Sequence, residues 1–367
     1  MSYRRRYLDT ARISFAAIEH SNSVNSIPDS IVEADHVREN IARYLNIPWP
    51  ENISFRSNTT QAFRDLLISS VSLHDDNIRI LASDIDHPVM LQMIRAFEKN
   101  IELHIVPLQD QMCFHTKESE INIVDSYSIK VQEVNPDIVL VPHVDYLTGS
   151  VFPITCIANI TKKNNSNTVV VIDGAQAIGN ILLEIDWYSI DAYLCCTQKW
   201  VGASDPVGIL AIGESYLHRL ESNNLHKSMY INDIFSVFAG TMVGGAEFAL
   251  DTYQRGILYR LAVYIAGFKE QESCELLPIH HSDEIRDIVQ MNSSLHVCGN
   301  LDSSSSIVSI TGKNEITSNI SKALNRKGYA HSTFHIDEAI VLRLCAPFKK
   351  FTIADRICFE SIIMSVE

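Results

Sequence analysis

No apolar run in this sequence is long enough to cross a bilayer. The basic cluster Arg4-Arg5-Arg6 leads straight into Tyr7-Leu8-Asp9 without an apolar stretch behind it. No secretory signal is therefore expected, and the cytoplasm is the expected compartment. CxxC pairs are missing, and the eight cysteines among 367 residues are irregularly spaced, which argues against a disulfide scaffold. Cys195-Cys196, the one adjacent pair, reads as two small apolar residues in a strand. Fourteen histidines include His280-His281, but no partner ligands stand at metal-like spacing, so no metal is expected. Positive charge is scarce: 30 Lys and Arg against 44 Asp and Glu leave a net charge of −14. That balance disfavours nucleic acid and anionic membrane as partners. Internal repeats are absent too.

What is present is ordinary globular composition, 46% hydrophobic and 20% charged. The length suits roughly two domains. Short β-branched runs at 78–81, 138–141, 169–172 and 192–195 read as buried strands, and 89–99 reads as a helix between the first two. Such alternation predicts an α/β fold, a mostly parallel central sheet covered by helices. Ligand sites in such sheets lie outside the carboxyl ends of the strands. After about residue 250 the texture changes to a helical pattern at 249–272, a Ser- and His-rich stretch, and short strands near 306–310 and 340–344. The expected organisation is a large domain over 15–250 and a smaller C-terminal α+β domain over 251–367, with segment 1–14 packing near the latter.

The densest chemistry lies at 169–213. A buried strand ends at Asp173, the chain turns at Gly174, and a second strand runs up to Lys199, followed by Gly202, Pro206 and Gly208. Pyridoxal phosphate (PLP) chemistry needs a lysine for a Schiff base and a carboxylate that keeps the pyridinium nitrogen protonated. Lys199 and Asp173, expected at adjacent strand ends, could supply both. Upstream, Ser57-Asn58-Thr59-Thr60-Gln61-Ala62 opens an apolar helical run, and polar groups at a helix start make an anion site. Asp86-His87-Pro88 follows, then the run Pro142-His143-Val144-Asp145-Tyr146-Leu147-Thr148-Gly149, then Phe238-Ala239-Gly240-Thr241 and Leu342-Arg343-Leu344.

In this order the motifs resemble the class V aminotransferase and cysteine desulfurase family of fold type I PLP enzymes, over nearly the whole chain, from Tyr7 to Phe348. Asp173 to Gly179 is similar to that family's D-x-A-Q-x-x-G. The resemblance implies PLP as cofactor, Lys199 as its Schiff-base anchor, Asp173 against the ring nitrogen and Gln176 at the phenolic oxygen. It puts Thr59, Thr60 and Gln198 at the phosphate and His87 stacked on the ring. Thr241 would reach the phosphate of a neighbouring subunit, which implies a two-fold homodimer with the active site at its interface. Arg343 would clamp a substrate carboxylate through two parallel hydrogen bonds, and Tyr146 would face the substrate.

Fold type I hosts many reactions. Desulfurases of this family carry a mobile cysteine shortly before the C-terminal arginine; 325–335 holds none, and Cys345 stands two residues past Arg343 in a strand. Asp86-His87-Pro88, Tyr146 and Gln198-Lys199-Trp200 are most similar to the cysteine or cystine C–S lyase-like branch. The expected reaction is α,β-elimination on a sulfur-containing amino acid through an external aldimine. Transamination and epimerisation use the same residues and stay open. So does a non-catalytic relative acting as a binding module, on three departures: Tyr146, the loop Gly202-Ala203-Ser204-Asp205, and Arg64. His331 and His335 are pocket candidates by position.

Overall fold

Strands covered by helices on both faces must be apolar at successive positions, because each face meets a core. The computed structural model describes residues 6–7, 34–74, 77–97, 101–114, 122–203, 205–223, 279–299, 305–345 and 353–365. After β1 (Arg6–Tyr7) come β2 (Ile53–Arg56), β3 (Ile78–Ser83), β4 (Ile101–Val106), β5 (Ile138–Pro142), β6 (Val169–Asp173), β7 (Ala192–Cys196) and β8 (Gly208–Ile212). Strands β2 to β8 make one seven-stranded sheet in the order β2-β8-β7-β6-β5-β3-β4. Every neighbouring pair is parallel except those of β8, which runs antiparallel to both β7 and β2. The mostly parallel sheet expected from the β-branched runs is the one found.

The helices around it are α1 (Ala34–Tyr44), α2 (Thr59–Val71), α3 (Pro88–Ala96), α4 (Gln109–Phe114), α5 (Ile123–Val134), α6 (Ile154–Asn164) and α7 (Glu214–Ser222). Side chains alternate along a strand, so the two faces separate cleanly. Val141, Ile172 and Cys195 join a core with Val37 of α1, Val131 of α5 and Ile157 of α6. Leu140, Val171 and Leu194 join the opposite core with Leu66 of α2, Ile94 of α3 and Tyr216 of α7. The expected helix at 89–99 begins at Pro88, whose fixed φ and missing N–H suit a first helical position, and the helix runs to Ala96.

A second sheet is antiparallel throughout. Its strands are β9 (Leu295–Val297), β10 (Ile307–Gly312), β12 (Ser332–Ile336) and β13 (Ala339–Cys345), in the order β12-β13-β10-β9. Helices α8 (Ile279–Gln290), α9 (Asn314–Arg326) and α10 (Ile353–Met364) contribute Ile288, Ile320 and Phe359 to one core with Val308, Leu342 and Leu344. Strand β11 (Tyr329–Ala330) instead pairs in parallel with β1. The helix expected at 249–272, the boundary near 250 and Thr241 lie outside the described residues. Among the described residues no helix is long and apolar enough to cross a membrane.

Candidate functional site

The parallel strands β3, β5, β6 and β7 are neighbours, so their carboxyl ends lie along one edge. Register places Pro142 beside Asp173, and Asp173 beside Leu194. The connections that leave this edge carry His87, Tyr146, Gln176 and Lys199. Strand β2 points the same way, being antiparallel to β8 as β7 is, and it delivers the start of α2 to the same edge.

One cavity of about 500 Å³ is lined by His87, Tyr146, Gln176, Lys199 and Arg343. Strand β12 adds Ser332, Thr333 and Phe334, with His331 just before them. Asp173, Thr59, Thr60 and Gln198 are not among the lining residues. Asp173 is nevertheless close enough to favour the charged form of His87.

Lys199 is half-buried in a turn. The strand that was expected to reach it ends at Cys196. Thr197 ends the strand: its hydroxyl donates to the Asp205 carbonyl at 3.0 Å, and its own carbonyl accepts from Ala203 N–H at 3.0 Å. These bonds fold 197–207 into the loop between two antiparallel strands, so Lys199 projects from a turn rather than from a pleat. Cys195 and Cys196 are buried in β7, as expected. Arg64, by contrast, lies exposed on α2.

Gln176 is buried, and its Oε1 accepts from the indole N–H of Trp200 at 2.8 Å. Indole nitrogen can only donate, which assigns the facing atom as oxygen and makes the opposite end of the amide its donor end. His87 caps α3, with Nδ1 accepting from Val89 N–H at 3.3 Å. Burial lowers its pKa, the charges of Lys199 and Arg343 add to this, and Asp173 opposes them. The imidazole is thus neutral at pH 7, with its proton on Nε2. Its ring centre lies 5.2 Å from that of Tyr146.

Tyr146 sits in a turn built by Asp145, whose Oδ1 accepts from Leu147 N–H at 3.0 Å and Oδ2 from Thr148 N–H at 2.7 Å. Burial pushes the Tyr146 phenol up to about 12, so it keeps its proton. Arg343, buried on β13, donates from Nη1 to the Tyr146 carbonyl at 2.9 Å and from Nη2 to Ser332 Oγ at 3.3 Å. Its guanidinium carbon lies 5.1 Å from the centre of the Phe334 ring. Sequence reasoning missed Ser332 and Phe334. The signal was their pairing against β13, where Ser332 stands directly opposite Arg343. His335, one residue along the strand, is exposed.

At the start of α2, Asn58 is the cap, its Oδ1 accepting from Gln61 N–H at 2.8 Å. Thr59 is buried and gives its hydroxyl proton to the Cys195 carbonyl at 3.2 Å, while Thr60 is half-buried in the first turn. Gly208, which opens β8, lies under this turn. A Cβ there would fall 2.3 Å from the Asn58 carbonyl carbon and oxygen, so only glycine admits the approach.

Residues 12–233 match the family model for Aminotransferase class-V, more than half of the chain. The chain belongs to the class-V aminotransferase family. Among curated relatives, a putative cysteine desulfurase PbSufS of Plasmodium berghei is 27% identical over 157 residues, 41% of this chain but 28% of that protein. A kynureninase of Scheffersomyces stipitis is 32% identical over 90 residues, 24% of this chain and 18% of that protein. The matches thus span under a third of either relative's own length. Among solved structures, a NifS-like protein superposes with a TM-score of 0.70 at 18% identity over 99% of both chains. A complex of the cystine C–S lyase C-DES with its reaction product, cysteine persulfide, gives 0.71 at 16% identity, covering 99% of this chain and 97% of that one. At these identities the likeness is one of fold.

The cofactor of the class-V family is PLP, and the residues present fit it. The Lys199 ammonium makes no hydrogen bond or ion pair among the described residues, although it is half-buried in the cavity wall. The Asp173 carboxylate accepts one bond, Oδ1 from Ala175 N–H at 2.9 Å, and its Oδ2 takes none among the described residues. Gln198 has a buried amide oxygen without a partner. One donor, the Lys199 ammonium, and two acceptor oxygens, on Asp173 and Gln198, are left over at one sheet edge and suit a group that carries both acceptors and donors. No group of three or more metal-ligating side chains occurs among the described residues.

Proposed function

We propose that this chain is a PLP-dependent lyase that eliminates the β-substituent of a sulfur-containing amino acid. The observation that carries the reading is the single cavity shared by Lys199, His87, Tyr146, Gln176 and Arg343, closed on one side by an ordered strand. That strand occupies the stretch where a desulfurase would present its mobile cysteine, and it contains none. Cys345, the next cysteine along the chain, is fully buried in β13 and cannot swing into the cavity.

When bound, PLP supplies an electron-withdrawing ring that accepts the electron pair left at a substrate α-carbon. Lys199 Nζ would hold the group and, once the substrate amine has displaced it, would be the base for the α-proton. Its lack of competing partners among the described residues favours that role. The Asp173 carboxylate would keep the ring nitrogen in its charged form. The Gln176 donor end, oriented by Trp200, would serve the phenolic oxygen, and the Gln198 amide N–H with the first turn of α2 would receive the phosphate. His87, kept neutral by burial, offers a flat face without adding positive charge. Arg343 binds the substrate carboxylate, and Tyr146 and Phe334 keep water from the β-carbon. The homodimer expected from Gly240-Thr241 belongs to this reading.

The decisive experiment combines absorbance with product analysis. Purified protein should carry a visible cofactor band that borohydride bleaches and that Lys199→Ala lacks. A panel of sulfur amino acids should yield pyruvate with sulfide or a persulfide without any added keto acid. Product only when a keto acid is supplied moves the assignment to transamination, and loss of chirality without product moves it to epimerisation. A colourless protein that takes up no added PLP leaves a binding module instead of an enzyme.

A further inference from the structure

We propose that Phe334 is a specificity-determining residue that, with Tyr146, selects amino acids bearing a thioether or disulfide sulfur over their oxygen counterparts. This rests on the site reading given above and deepens it. Strand β12 is the edge of its sheet, and its alternation turns Ser332 and Phe334 to the face that carries Arg343. The guanidinium lies over the Phe334 ring at 5.1 Å, so the face of that ring is committed to the cation. The Phe334 ring meets Tyr146 at a steep angle, 69°, with centres 6.0 Å apart. Tyr146 in turn tilts against His87, 5.2 Å away.

The result is a continuous wall of three π-systems running from beside Lys199 to the arginine. A substrate whose carboxylate rests on Arg343 must extend its side chain along this wall. Sulfur is polarisable and favours aromatic edges at about 5 Å, a contact that an ether or hydroxyl oxygen does not reproduce. The ring also lines the cavity. Phe334 is partly buried and packs against the small cluster of Cys113, Leu147, Cys298, Ile336 and Val341.

The test uses amino acids without an α-proton, so that binding is read apart from turnover. S-methyl-α-methylcysteine and O-methyl-α-methylserine share ammonium, carboxylate and shape and differ in one atom. Each is titrated into the holoenzyme, and the cofactor absorbance is followed to give Kd. Wild type should bind the sulfur analogue about threefold to tenfold more tightly. Phe334→Leu, which keeps bulk, should bring the ratio close to one while both analogues still bind, and Phe334→Tyr should preserve it. If Phe334→Leu weakens both analogues equally, the residue merely holds Arg343 and the specificity role is overturned. A wild type that shows no sulfur preference overturns it as well. If wild type binds neither analogue nor any unsubstituted amino acid, the reading of the site fails first, and this inference with it.

Discussion

Trp200 and Gln176 stand 24 residues apart and meet through one hydrogen bond of 2.8 Å in the protein interior. The indole is fully buried against Val144, Ala177 and Ile307, so it acts as a fixed post for the amide. Replacing Trp200 by Phe keeps an aromatic ring and removes the donor. The loss of one buried hydrogen bond should cost about 1–3 kcal/mol of stability. Cofactor affinity, followed by absorbance titration, should fall about threefold to tenfold as the amide loses its orientation. A variant with lowered stability but unaltered affinity would detach Gln176 from cofactor binding.

The Arg56 guanidinium meets Asp65 at 2.6 Å, with the two side chains 0% and 5% exposed. Gln61 Nε2 donates to the other carboxylate oxygen at 2.9 Å. This pair ties the end of β2 to the second turn of α2 and so sets the angle at which α2 begins. Asp65→Ala takes the carboxylate away from a buried cation and should cost about 3–5 kcal/mol in denaturant unfolding. The double variant Arg56→Met/Asp65→Leu should recover most of that loss, because desolvating the pair already offsets much of its attraction. A double variant no better than Asp65→Ala contradicts this account.

Gly208 lets the opening of β8 pass beneath Asn58 and Thr59. Gly208→Ala pushes a methyl into backbone, which cannot rotate away. We expect destabilisation of about 1–3 kcal/mol and a larger proportional loss in affinity for PLP than for pyridoxal, which lacks the phosphate. Equal losses for the two would remove the start of α2 from the phosphate site.

Asp86 is buried beside His87, with Oδ2 accepting from the Ser83 amide at 2.6 Å and hydroxyl at 2.8 Å. Its Oδ1 is buried without a partner. Burial pushes its pKa up to about 8, and the carboxylates of Asp173 and Asp145 add to the rise. The folded state therefore holds a proton that the unfolded chain releases near its ordinary value of 3.8. With more protons bound in the folded than in the unfolded state, stability falls as pH rises through this window, and the fall is complete above about 8. Asp86→Asn, neutral at all pH, should flatten this slope, so its thermal midpoint should gain on wild type from pH 5 to pH 8.5. Parallel curves for the two proteins would show that Asp86 is charged throughout.

Much of the fold is visible in single segments. The runs 138–141, 169–172 and 192–195 are β-branched or apolar at every position because both faces of the sheet are covered, and they emerge as β5, β6 and β7 with one added residue each. Asp173 ends β6, His87 and Gln176 lie in the connections just past β3 and β6, and Lys199 stands in the turn beyond β7. Their places near the strand ends follow from where the apolar runs stop, while their proposed roles rest on the family resemblance. Phe334 was not legible. In sequence it sits between Thr333 and His335 with nothing local to favour it over either.

By itself the sequence determined which stretches become strands and helices, because side-chain periodicity and capping act between near neighbours. It also placed the candidate site residues near the strand ends. Only the tertiary structure decided which of them meet. Arg343 reaches the carbonyl of Tyr146 across 197 residues, and Thr197 turns Lys199 out of its strand by closing onto the segment before β8. Such contacts depend on the register of strand pairs and on loop closure, which are set by the packing of the whole chain. No local pattern encodes them.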